Sequence, residues 1–175
     1  RPKPRVPVVL THDEALAIIE RLSGRVQTFV QLLYGAGLRQ AECCMLRIKD
    51  IDFGMGEIVV RNGKGNKDRR TLLPASLCTK LEQQVEYVRR LHAADLAAGY
   101  GEVYIPEALG RKYPNLRFET GWQFLFPNRA PSPDPRSGVI RRHHVHPSWI
   151  RKSIKRARLE AGIDKHVTCH TFRHS

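Results

Sequence analysis

One change of hydrophobic period constrains the fold of this chain more than any other feature. From Thr11 to Leu46 the apolar residues recur at helical spacing, whereas Glu57-Ile58-Val59-Val60-Arg61 is β-branched and reads as a strand. Thr71-Leu72-Leu73-Pro74 reads as a second strand, and between the two lies Asn62-Gly63-Lys64-Gly65-Asn66-Lys67-Asp68, a glycine-bearing loop. Two strands so close in sequence predict a β-hairpin with a long basic tip. Helical spacing then resumes at Leu77, Leu81, Val85, Val88 and Leu91. A chain patterned in this way is α+β, helix-rich with a small antiparallel sheet.

The punctuation refines that outline. Thr11-His12-Asp13-Glu14 has the form of a capping box and opens a helix carrying Ala15, Ile18, Ile19 and Leu22, which Gly24 is expected to end. A second helix runs from about Val26 to Tyr34 and stops at Gly35-Ala36-Gly37, and a short third one carries Ala41, Met45 and Leu46. Ser76 is placed to cap the long helix that reaches about Ala98. A short helix is expected at about Ile105–Tyr113, an apolar strand at Trp122–Pro127 and a proline-rich loop from Asn128 to Gly138. From Pro147 a basic helix should reach Ala161, with Ile150, Ile154, Ala157 and Ala161 inward and Gly162 as its cap.

Composition narrows the partner. Lys and Arg total 30 against 17 Asp and Glu, a net charge of +13 in 175 residues, which points to a polyanion, nucleic acid before membrane. A hydrophobic content of 41% excludes a disordered basic tail. The apolar runs are too short to span a bilayer, and the N-terminal stretch lacks a signal-peptide pattern. Cys43, Cys44, Cys78 and Cys169 form no C-x-x-C pair, so neither a disulfide framework nor a zinc ribbon is expected. These features together predict a soluble cytoplasmic protein.

Several basic clusters could carry chemistry. Arg39 follows a glycine break at a helix start, where its guanidinium can join exposed N–H groups around an anion, and Glu42 can orient it; a plain surface arginine is the alternative. Lys64, Lys67 and Arg69 belong to the hairpin tip and its return arm, either an ordinary solvated loop or one that closes over a phosphate, with lysine supplying charge and a transferable proton. The stretch from Arg136 to Arg158 contains eight Lys or Arg and no acid, among them Arg141, Arg142, Arg151, Lys152 and Lys155. A solvated helix face would normally interleave glutamate, so its absence favours phosphate contact. His143, His144 and His146, with Cys169, His170 and His174, match no zinc spacing, and no metal is expected. Trp122 reads either as core or as a platform for an unpaired base. His170-Thr171-Phe172-Arg173 by itself is too short a pattern to mean anything.

In order along the chain, however, Gly37-Leu38-Arg39-Gln40-Ala41-Glu42, Gly63-Lys64-Gly65-Asn66-Lys67-Asp68-Arg69 and His170-Thr171-Phe172-Arg173-His174-Ser175 resemble the catalytic domain of the tyrosine recombinases, the phage-type integrases. The similarity covers essentially the whole chain. Residues 99–144, with Pro106-Glu107-Ala108-Leu109-Gly110, the Trp/Phe segment and Asp134-Pro135-Arg136-Ser137-Gly138, resemble the insertion that marks integron integrases.

The resemblance implies a catalytic-domain fold in which Arg39 and Arg173 neutralise the scissile phosphate, Lys64 protonates the leaving 5′ oxygen, His170 assists at a non-bridging oxygen and Glu42 supports them. Lys67 is the alternative lysine. It also implies no cofactor, a phosphotyrosine intermediate, and a bacterial DNA partner: folded single-stranded cassette sites with extrahelical bases, and duplex. Trp122 would stack on one such base, and Pro135, His143 and His144 would line a second contact. The family's nucleophilic tyrosine follows H-x-x-R, whereas Tyr34, Tyr87, Tyr100, Tyr104 and Tyr113 all precede it. The chain is therefore expected to be a partial catalytic domain over residues 1–175, truncated at its C-terminus. It would lack the N-terminal core-binding domain and the nucleophile segment, and so the tetramer that full-length relatives form on DNA. A non-catalytic basic nucleic-acid module and a duplex-specific phage or chromosomal recombinase are the rival readings.

Overall fold

The computed structural model describes residues 7–61 and 67–175. Its backbone divides into two compact units, residues 1–43 with 147–175, and residues 44–146. Among the described residues no helix is long and apolar enough to cross a membrane.

The first unit is helical. Helix α1 (His12–Glu20) begins at the expected capping box: Thr11 Oγ1 accepts from the Glu14 amide at 3.2 Å and Glu14 Oε2 accepts from the Thr11 amide at 2.8 Å. It buries Ala15, Ile18 and Ile19. Contrary to expectation, Gly24 does not end α1; it opens α2 (Gly24–Gly35) with φ +55°. The apolar period extends to Leu22 in the sequence because that side chain is buried in the connecting turn. Helix α3 (Gln40–Met45) follows the turn at Gly37, whose φ of +61° suits glycine.

After a 3-10 turn at Pro147–Ile150, α6 (Arg151–Glu160) buries Ile154 and Ala157, and α7 (Cys169–His174) buries Cys169, Thr171 and Phe172. Helix α7 packs on α2, and α6 on α1. Phe29 meets the Trp149 ring edge-on at 5.6 Å. Gly162, at φ +67°, lies one residue past the α6 cap at Ala161.

The second unit holds a three-stranded antiparallel sheet, β1 (Ile51–Asp52), β2 (Glu57–Val60) and β3 (Arg69–Leu72), in that order. The hairpin is present, with Val60 opposite Arg69, so the return strand starts two residues earlier than its apolar residues suggested. Strand β1 is too short to leave a period in the sequence. Ile58 and Val60 are buried on one face of β2.

Helix α4 (Cys78–Ala97) buries Leu81, Val85 and Val88. Ser76 does not cap it: Pro74 starts a 3-10 turn over Ala75–Leu77, and Ser76 falls inside that turn. Helix α5 spans Glu107–Lys112.

The segment Trp122–Pro127 is not a strand. Trp122 ends a 3-10 turn, and only Phe124 and Pro127 make isolated bridges, to Arg47 and His144. Gln123–Pro127 is buried throughout rather than alternately, and Gln84 Nε2 donates to the Leu125 carbonyl at 2.7 Å. The proline-rich loop contains a two-residue pairing, β4 (Ser132–Pro133) with β5 (Ile140–Arg141), closed by the Asp134 amide donating to Val139 O at 2.8 Å. A strand so short can accommodate a proline, which has no N–H to pair.

Candidate active site

Three of the four catalytic candidates lie in the helical unit, as does Glu42. The Gly37 turn delivers Arg39 to the start of α3, one turn from Glu42. Arg39 Nη1 donates to Glu42 Oε1 at 2.6 Å, while the Arg39 amide donates to Glu42 Oε2 at 2.8 Å. The Glu42 side chain is only 7% exposed, against 34% for Arg39. A buried carboxylate thus orients an arginine that still presents further N–H donors to solvent.

Helix α7 starts at a reciprocal cap between Thr168 and Thr171. With Cys169 and Phe172 inward, His170 is exposed and Arg173 half-buried, three residues apart along the same side of the helix. Among the described residues Arg173 makes no ion pair, and its charge is available to an anion. Helix α7 packs on α2, the helix that leads into the Gly37 turn, and Arg39 and Arg173 belong to the same compact unit. Burial pushes the neighbouring Cys169 thiol up to about 11, so it stays protonated at neutral pH.

Lys64 lies outside the described residues. Lys67 is exposed, Arg69 is half-buried as the first residue of β3, and beside them Arg61 pairs with Asp68 at 3.6 Å.

Trp122 is half-buried against Val103, Ile105 and Phe124, so it is part of a core as well as a surface. Lys49 Nζ sits 3.8 Å from its ring centroid, and Arg47 Cζ at 5.4 Å. Arg47 also donates to the carbonyls of Trp122 at 2.5 Å and Tyr104 at 2.8 Å, and burial lowers its pKa to about 10. Sequence reasoning missed both cations, since nothing near Arg47 or Lys49 announces an aromatic partner so far along the chain.

Pro135 is exposed in the turn between β4 and β5. His144 meets Phe124 edge-on at 5.1 Å, and His143 Nε2 is buried without a hydrogen-bond partner among the described residues. Burial holds the His143 pKa below its ordinary value, with nearby Arg141 and His144 acting in the same direction and Asp134 opposing them.

Arg141 and Arg142 depart from expectation. Arg141 is buried against Glu102 at 3.1 Å and Asp134 at 3.7 Å. Arg142 forms a bidentate pair with Asp95, at 2.7 and 2.6 Å, and donates to Asn128 O and Arg129 O. Their charges are satisfied internally, because arginine at the edge of a buried segment brings its own carboxylate inside. Arg151, Lys152 and Lys155 are exposed on α6, as expected. Among the described residues no group of three or more His, Cys, Asp or Glu side chains is arranged to hold a metal ion.

The model of the phage integrase family matches residues 8–175. The chain belongs to the phage integrase family. An integrase/recombinase of Escherichia coli is 47% identical over 175 residues, covering all of this chain and 52% of its own length. Tyrosine recombinase XerA of Pyrococcus furiosus is 31% identical over 173 residues, 97% of this chain and 54% of that one. This phage integrase family chain thus spans about half the length of the curated relatives it matches.

The crystal structure of XerA recombinase superposes with a TM-score of 0.62 at 27% identity, over 99% of this chain and 50% of that one. XerH site-specific recombinase bound to difH substrate gives 0.59 at 19% identity, over 100% of this chain and 43% of that one, a likeness of fold. The helix-rich α+β architecture is that of the tyrosine recombinases.

Proposed function

We propose that this chain carries the phosphate-binding residues of a catalytic domain for site-specific DNA recombination, of the integron-integrase type. The observation that carries the reading is the pairing of Arg39 with the buried Glu42 in the unit that also holds His170 and Arg173. Two arginines at fixed positions suit a phosphodiester whose transition state gathers charge on its non-bridging oxygens. In this reading Arg39 and Arg173 hold the scissile phosphate, His170 donates a hydrogen bond to it, and Lys64 is the general acid for the leaving 5′ oxygen. No cofactor is needed, because the phosphotyrosine conserves the bond energy.

The attacking tyrosine is not among those of this chain. Tyr34, the tyrosine of the helical unit, has its hydroxyl 2.7 Å from His12 Nδ1 and precedes H-x-x-R by more than a hundred residues. Assembly into a tetramer on DNA belongs to the whole-length enzyme. The finer substrate, a folded single strand with extrahelical bases, rests on the 99–144 segment, with Trp122 under one base and Pro135, His143 and His144 beside another. The cations Lys67, Arg69, Arg151, Lys152 and Lys155 follow the backbone phosphates; Arg141 and Arg142 shape the insertion instead.

Anisotropy of this chain with a cassette-site hairpin, beside the same hairpin with its bulges deleted, across a salt series, tests the reading. A preference for the bulged form that persists as salt rises supports it. Equal binding that fades in parallel leaves a basic recombinase scaffold for duplex. Separately, a nicked suicide substrate should yield no covalent adduct with this chain; an adduct would assign the nucleophile to one of its own tyrosines.

A further inference from the structure

Two cations meet the Trp122 ring, and they are held in different ways. Arg47 is fixed: it donates to the carbonyls of Trp122 and Tyr104 and lies 4.4 Å from the Phe124 centroid, which anchors the backbone that carries Trp122. Lys49 has no such anchor. Its ion pair with Asp50 Oδ1 is long, at 3.8 Å, and that oxygen already accepts from Arg61 Nε at 2.8 Å, while Asp50 Oδ2 accepts from the Arg47 amide. The ring is therefore the main partner of the Lys49 ammonium.

At 3.8 Å from the centroid, Lys49 Nζ lies over a face of the ring, because the same distance in the ring plane would collide with the ring atoms. A stacked base needs that same height, about 3.5–4.0 Å. A base and this ammonium cannot share the face. Trp122 also packs against Val103, Ile105 and Phe124, which takes up ring surface of its own. Burial pushes the Lys49 pKa below its ordinary value, so the ammonium regains hydration when it leaves the ring.

We propose that Lys49 gates the base site: it closes the stacking face of Trp122 in the free chain, and an unpaired base gains that face by displacing it. The inference rests on the reading in which Trp122 receives an extrahelical base, and adds to it a competitor built into the chain. The lysine stem is four carbons long and flexible, so the ammonium swings to water as the base arrives. A cation over a partly exposed ring is held more weakly than a stacked base, so a base that is already unpaired wins the exchange. A base still in a duplex has the cost of unpairing to meet as well, and the gate keeps it out.

The test places 2-aminopurine at the bulged position of the cassette-site hairpin, beside the bulge-free hairpin, for the unaltered chain and for Lys49→Ala, Lys49→Arg and Trp122→Ala. Quenching of the 2-aminopurine reads stacking, and anisotropy reads affinity. Lys49→Ala removes a positive charge, yet it should raise the ratio of bulged to bulge-free affinity by about 2–5-fold and deepen the quenching. Lys49→Arg, whose planar guanidinium stacks on the ring more firmly, should lower both. An unchanged thermal midpoint confirms that each variant is folded.

If Trp122→Ala abolishes the preference for the bulged hairpin while Lys49→Ala leaves ratio and quenching unchanged, the base reaches the ring without displacing Lys49; the gate is overturned and the reading of Trp122 stands. A loss of affinity on both hairpins alike in Lys49→Ala, with the ratio constant, makes Lys49 a phosphate contact and overturns the gate too. A preference that appears only in Lys49→Ala supports it. If neither the unaltered chain nor Lys49→Ala distinguishes the hairpins or quenches the probe, no base reaches Trp122, and that reading fails together with the gate.

Discussion

Glu42 holds Arg39 at two points, one carboxylate oxygen on the guanidinium at 2.6 Å and the other on the backbone amide at 2.8 Å. The second bond matters as much as the first, because it fixes the turn from which the side chain projects. A carboxylate shared in this way orients the arginine and caps the first turn of α3 together.

Glu42→Ala leaves the Arg39 amide without its acceptor and the guanidinium without its guide. The variant should lose about 1–3 kcal/mol of stability, read by urea denaturation. Glu42→Gln, which keeps an acceptor oxygen, should lose less. Indistinguishable midpoints for all three proteins would sink the positioning role.

Arg142→Ala separates a structural arginine from a DNA-binding one. Its side chain and that of Asp95 are 10% and 12% exposed, so truncating one leaves a nearly buried charge on the other. The expected loss is about 3–5 kcal/mol, with the salt slope of DNA binding unchanged. A stable variant whose slope drops by about one would return Arg142 to the phosphates.

His143 makes stability pH-dependent in a defined direction. Its pKa is lowered from 6.5, chiefly by burial, so the unfolded chain binds the proton more readily. The full stability is present above about pH 6.5 and is lost as pH falls through the lower folded-state value. Asp134, whose pKa lies below 3.8 because the Arg136 amide donates to it, adds a loss of the same sign at more acidic pH. Thermal midpoints from pH 7.5 to 5 should fall, and His143→Gln should flatten that part of the curve. A midpoint that rises on acidification contradicts the burial of a neutral imidazole.

Trp122 is both core and surface, and the two roles give different readouts. Trp122→Ala should weaken binding to the bulged hairpin by roughly 1–3 kcal/mol more than to the bulge-free one if it stacks on a base. Equal losses, accompanied by a lower thermal midpoint, would mean that its packing against Val103, Ile105 and Phe124 is its whole role. Lys49→Ala, which uncovers the ring, should shift tryptophan emission in the free protein.

Local signals were read correctly wherever the physics is local. The Thr11–Glu14 box, the α4 stripe and the pairing of β2 with β3 each depend on residues close in sequence, so they are legible in the sequence alone. The same holds for Arg39 and Glu42, separated by one helical turn. Misreadings fell where a remote partner decided the outcome. Arg141 and Arg142 looked like free charge because Glu102, Asp134 and Asp95 cannot be matched to them by spacing, and Gln123–Pro127 looked like a strand because burial from several sides imitates strand hydrophobicity.

The order of the motifs carried the family, and the excess of positive charge pointed to a polyanion, since motif order and net charge survive without coordinates. Tertiary structure alone decided which cations are free. Arg156 meets Glu160 while Arg151 and Lys155 line a cavity, and among the described residues Arg173 on α7 makes no ion pair while Arg142 is clamped to Asp95. An arginine reads the same in sequence whether its carboxylate is four residues away or forty-seven; only folding brings the distant one within bonding distance and leaves the remaining charge for a ligand.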